Sequence, residues 1–192
     1  MSNSNRVRTS VSTIANAQST SSVLSEAITL ADAGNPERAL QLLKSEGKST
    51  DAVINARSVC LMRLGRGEDA RKALRTTVMQ SECTWLKPDV PVIYRTNFCM
   101  ALLLSGHPQG CLSLLTDIKE QNHPSAQRVQ QALDAWKRGL TFWQRLQCNV
   151  GIEPEVQFVP DFVPGDFVEP LSTPGPVVST QNSTDRPVRQ AV

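Results

Sequence analysis

Three stretches of the chain superimpose without a gap: Leu30–Leu43 (LADAGNPERALQLL), Leu61–Leu74 (LMRLGRGEDARKAL) and Leu102–Leu115 (LLLSGHPQGCLSLL). In each, a leucine precedes a glycine by four residues, a small residue follows that glycine by five, and a second leucine comes four later. The three series are Leu30-Gly34-Ala39-Leu43, Leu61-Gly65-Ala70-Leu74 and Leu102-Gly106-Cys111-Leu115. Glycine accepts the left-handed conformation in which helices commonly end. The small residue lets a returning helix approach the first closely, and the leucines fill the groove between the two. Each stretch therefore predicts the end of one helix, a tight turn and the start of the next.

The flanking residues extend the same reading. Val23, Ala27, Leu30 and Ala31 recur at the spacing of one helix face. Pro36 falls early in the next helix, where its missing N–H costs nothing, and Ala39, Leu40, Leu42 and Leu43 make that helix's face. Residues 52–64 (AVINARSVCLMRL) predict a helix with Asp69 to about Met79 as its partner. Residues 92–104 (VIYRTNFCMALLL) pair likewise with Cys111 to about Lys119. Residues 125–148 read as one longer helix with Val129, Leu133, Trp136, Leu140, Trp143 and Leu146 on a single face and Ser125 as its N-cap.

A helical hairpin recurring at this interval resembles the tetratricopeptide repeat, a unit of about 34 residues. Ala39 to Ala70 spans 31 residues and Ala70 to Cys111 spans 41, with an insertion around Cys83–Asp89 that Trp85 is expected to pin onto the array. Some positions depart from the family's pattern: Pro36, Gly67 and Pro108 stand where an aromatic is often found, and leucine replaces the aromatic opposite the small residue. Glu26 and Arg57 stand where leucine is preferred, while Phe98 fits. The resemblance implies an all-α fold, a tetratricopeptide-like right-handed array of about three helical hairpins over residues 21–150, closed by a C-terminal capping helix. It also implies a concave groove lined by the first helices, because one unit cannot bury its apolar face alone.

In that register the groove receives Leu24, Ile28, Asn55, Val59, Met62, Arg63, Asn97, Met100 and Leu103. Asparagines can pin a peptide backbone, methionines adapt to apolar side chains, and Arg63 suits a carboxylate. Val59, Leu103 and the methionines serve equally well as core between repeats. Family members that grip a C-terminal carboxylate use lysines that are missing here, so that specificity is not carried over. Trp136 and Trp143 lie two helical turns apart, which places them either in the cap's contact with the array or on a seam between two copies.

Prolines divide the chain: seven of twelve follow residue 151. Within residues 151–192, an extended or disordered tail, Phe158–Pro170 reads FVPDFVPGDFVEP, with Phe158, Phe162 and Phe167 each followed by valine and with acids between them. Proline excludes helix here and favours extended backbone. Regular aromatic anchors among acids resemble a docking segment. It either lies on the chain's own groove, recruits another protein, or packs against the last helix. Charge divides the same way. Residues 1–20, a Ser/Thr-rich leader, carry Arg6 and Arg8 and no acid; residues 21–150 carry 16 basic against 12 acidic residues; the tail carries two against six.

The net charge of +2 gives no global pull toward nucleic acid or membrane. Five cysteines without a C-x-x-C pair read as reduced thiols in a cytoplasmic protein, and no secretory signal or membrane-spanning run is visible. Phosphate loop, dinucleotide fingerprint, nucleophile elbow and H-E-x-x-H are all missing. His107 and His123, the two histidines, show no metal-ligand spacing with the cysteines. The expectation is a non-catalytic protein–protein interaction scaffold without cofactor or metal, whose partner is another protein or peptide or its own tail. Two alternatives are a structural subunit that oligomerises through the Trp136/Trp143 helix, and a nucleic-acid-associated accessory protein using the basic residues Arg71, Lys72 and Arg75 near Arg63 and Arg66.

Overall fold

Gly34, Gly65 and Gly106 end their helices in the same way, with φ of +81°, +72° and +82°. After each, the next residue's amide reaches back to the leucine carbonyl four residues before the glycine: Asn35 to Leu30 at 2.9 Å, Arg66 to Leu61 at 2.9 Å and His107 to Leu102 at 2.8 Å. The glycine amides bond Ala31, Met62 and Leu103, completing three copies of the Schellman turn. The sequence repeat is thus a repeat of helix termination.

The computed structural model describes residues 21–45, 47, 49–80, 86–87 and 89–169. The leader 1–20, Trp85 with the expected pinning of the insertion, and the tail from residue 170 lie outside the described residues. The described residues form eight helices: α1 (21–32), α2 (Pro36–Ser45), α3 (Asp51–Arg63), α4 (Gly67–Val78), α5 (Val92–Leu104), α6 (Pro108–Asp117), α7 (Pro124–Gly139) and α8 (Phe142–Asn149). Among the described residues no strand forms beyond an isolated bridge between Met79 and Leu86. The protein is all-α.

Each helix from α2 to α6 packs on its successor, and α3 also packs on α5 and α5 on α7. Alternate helices therefore share a face. The small residues at the hairpins, Ala39, Ala70 and Cys111, are wholly buried, as are Leu43, Leu74 and Leu115 beside them. Gly67 shows how close the approach becomes. A Cβ there would lie 2.7 Å from Leu104 Cβ and 2.9 Å from the Leu104 carbonyl carbon, so an aromatic has no room at this position.

The expected single helix over 125–148 is two helices. The chain turns at Leu140 (ψ 141°), and Thr141 starts α8 with a capping box: Gln144 N donates to Thr141 Oγ1 and Thr141 N to Gln144 Oε1. A satisfied new N-terminus offsets the amides lost at the break. Trp136 therefore sits buried on α7 while Trp143 is 71% exposed on α8. The two tryptophans lie on different helices rather than on one face of a single helix. Ser125 is also not the N-cap: α7 begins at Pro124, and His123 Nδ1 accepts from Ser125 N at 3.3 Å. The Ser125 hydroxyl is thereby free for another partner.

Candidate functional site

Helix α3 brings Asn55, Val59 and Met62 to the shared face, and α5 brings Asn97 and Met100. Asn55 and Asn97 are 1% and 2% exposed, and such deeply buried amides require partners. Asn97 Nδ2 donates to Asn55 Oδ1 at 2.8 Å, and both asparagines turn their remaining bonds on one residue of the tail, Asp166. Asp166 N donates to Asn97 Oδ1 at 2.9 Å. Its carbonyl accepts from Asn97 Nδ2 at 2.8 Å and from Asn55 Nδ2 at 3.3 Å. Two side chains from two helices thus hold both main-chain groups of one residue in an extended segment.

The carboxylate of the same residue is bound by α7. Ser125 Oγ donates to Asp166 Oδ2 at 2.5 Å, and Arg128 Nη1 pairs with Oδ1 at 2.5 Å. Before it stands Gly165, at φ +85°. A Cβ there would come within 2.7 Å of Met62 Cε and 3.1 Å of both Val59 methyls. After it, the ring of Phe167 lies 4.6 Å beneath the Arg63 guanidinium, a cation–π contact. The space bounded by Met100, Val129, Phe162, Gly165 and their neighbours is only about 10 Å³, room for one water at most.

Helix chemistry accounts for where three of the tail's acids lie. α2, α3 and α4 carry Glu37, Asp51 and the pair Glu68/Asp69 in their first turns, opposite the unpaired amides and the positive dipole end. α5, α6 and α7 carry no acid there. Each receives one from the tail. Glu169 accepts from Ile93 N at the start of α5 at 3.5 Å and pairs with His123 Nε2 at 2.8 Å. Glu153 meets His107, the N-cap of α6, at 3.1 Å, and Asp166 meets α7 through Ser125. Between them Trp136 Nε1 donates to Val156 O at 3.3 Å, and Pro154, Phe158 and Pro164 are buried.

Of the expected groove residues, Asn55, Val59, Met62, Arg63, Asn97 and Met100 gather around Gly165–Phe167. Leu103 is buried core, while Leu24 and Ile28 are half-buried on α1. Arg63 does not wait for a ligand carboxylate: it pairs with Asp32 of α1 at 2.9 Å. The three phenylalanines divide too, Phe158 being buried and Phe162 and Phe167 half-buried. Sequence reasoning missed Ser125 and Arg128. Their spacing of three puts them on one helix face, but nothing local ties that face to an aspartate 38 residues later.

Three residues of the basic face expected near α4, Arg66, Arg71 and Lys72, pair with acids of α4. Arg71 bonds both carboxylate oxygens of Glu68 at 2.7 Å, and this holds the Glu68 carboxyl down at about 2. Lys72 shares Glu68 at 3.5 Å and Arg66 pairs with Asp69 at 2.6 Å. Burial pushes the Cys60 thiol up to about 11. The Cys111 thiol beside it, and burial, raise Cys99 well above the usual range. Among the described residues no helix is long and apolar enough to cross a membrane. No protein-family model, curated protein or solved structure matches the chain.

Proposed function

We propose that the chain is a non-catalytic protein-interaction module of the tetratricopeptide-like kind, whose groove across α3, α5 and α7 holds an extended peptide. The observation that carries this reading is the convergence of Asn55 and Asn97 on the main chain of Asp166. Side chains that bond a backbone N–H and C=O hold any residue in that conformation, which is how an extended ligand is gripped without secondary structure. Around this clamp the groove supplies apolar seats (Val59, Met62, Met100) and two cations (Arg63, Arg128), a surface suited to aromatic and acidic side chains.

The test uses the full chain carrying Asp166→Ala, which loosens the tail and leaves every groove residue in place. Presented with a library of random peptides, it should select extended peptides whose binding falls at least tenfold when Asn97→Ala is added. Failure of the folded variant to select any peptide, or selection indifferent to Asn97, would overturn the reading.

A further inference from the structure

Resting on that reading, we infer that the partner taken by the groove is a segment of another protein built around a glycine–aspartate–aromatic core, and that Gly165-Asp166-Phe167 is a built-in copy of that ligand. Each position of the core meets a distinct constraint. Glycine is required first, because a Cβ would enter the space of Met62 and Val59 and because φ is +85°. Aspartate is required next, because Ser125 and Arg128 bind its two carboxylate oxygens separately. A ring is favoured third, beneath the Arg63 guanidinium.

The tail is bound as a separable peptide would be. Among the described residues from Glu153 onward, its single main-chain to main-chain bond outside regular structure is internal, from Val156 N to Pro154 O. Its bonds to the helices use side chains on one side or both. The valines that follow the three phenylalanines, Val159, Val163 and Val168, are 64–78% exposed and take no part in the seat. Everything the groove reads is therefore contained in a short stretch that a second protein can present. Because the tethered copy is always at high effective concentration, an outside segment must compete with it, and occupancy by a partner releases the tail.

The experiment measures binding of a fluorescent synthetic peptide of residues 160–169 (PDFVPGDFVE) to the wild-type chain and to the full chain carrying Gly165→Ala and Asp166→Ala. The peptide should bind the variant at least tenfold more tightly than wild type. Changing its glycine to alanine or its aspartate to asparagine should each weaken binding at least tenfold. If the double variant does not fold, the full chain carrying Asp166→Asn alone, which keeps the shape of the side chain, serves as the released form under the same criteria. Equal affinity for both chains, or a peptide indifferent to either change, overturns the inference. Random peptides selected without a glycine–aspartate–aromatic core overturn it too, while leaving the interaction function standing; no selection at all removes both. A wild-type dimer that light scattering shows to grow with concentration and to vanish in the released form assigns the site to a second copy, and also overturns it.

Discussion

The hairpin array and the segment that lies on it are held by opposite means. In the array, three copies of one apolar pattern bury Ala39, Ala70 and Cys111 in the core. In the segment, one aspartate makes five bonds to four side chains, and one glycine stands at φ +85° where a Cβ would crowd Met62 and Val59. Burial is non-directional and tolerant; a buried polar clamp is directional and unforgiving. Damage to the array should therefore spread through the molecule, whereas damage to the clamp should stay where it is made.

The largest effect tests the first half of this contrast. Leu74, fully buried on α4, which packs on α3 and α5, leaves a cavity when cut to alanine, and Leu74→Ala should cost about 2–5 kcal/mol. Thermal melting followed by circular dichroism should show one transition at lower temperature. A normal melt accompanied by loss of protection confined to residues 154–169 would break the comparison, because the array would then behave as locally as the clamp.

The next effect tests the second half. Asn97→Ala removes two of the five bonds that hold Asp166 and leaves the buried Asn55 Oδ1 without its donor, a loss of about 1–3 kcal/mol. Hydrogen exchange should quicken across residues 154–169 before it does so in α3 or α4. Uniform loss of protection over all helices would mean that the segment is part of the core rather than a ligand upon it.

The same contrast accounts for what could be read in advance. The hairpins were legible because their signal is local: a glycine with positive φ, a small residue five on and leucines at fixed offsets all act within one turn and the helix beside it. Six of the nine expected groove residues gather at the tail for the same reason, since periodicity assigns a helix face. The break at Leu140 was also written locally, as Thr141-Phe142-Trp143-Gln144, but the apolar spacing from Val129 to Leu146 outweighed that capping box in a reading by periodicity. The clamp was not legible. Asp166 is one of six acids in the tail, and its partners Ser125 and Arg128 are selected by three-dimensional position alone. The acid-free first turns of α5, α6 and α7 were a readable gap, yet only the fold shows which acids fill it.

The smallest effect asks whether the array is as uniformly closed as its repeated packing implies. A thiol reacts as the thiolate, and burial raises Cys60 from an ordinary 9.0 to about 11, so at pH 8 the folded protein holds about a hundredfold less of its reactive form. Cys99 is displaced in the same direction by Cys111 and by burial. Among the cysteines of the described residues, native protein should label with a thiol reagent at half-buried Cys148 first, leaving Cys60, Cys99 and Cys111 untouched until the array unfolds. The sign for stability follows from the same protons. Between pH 9 and about 11 the folded Cys60 keeps a proton that the unfolded chain releases, so its contribution is full below that window and is lost as the pH rises through it. Asn97→Ala, which frees the segment, should leave labelling of Cys60 slow. Fast labelling of Cys60 in that variant would show that the segment closes the core as well as the groove, and would join the two regions that the other measurements separate.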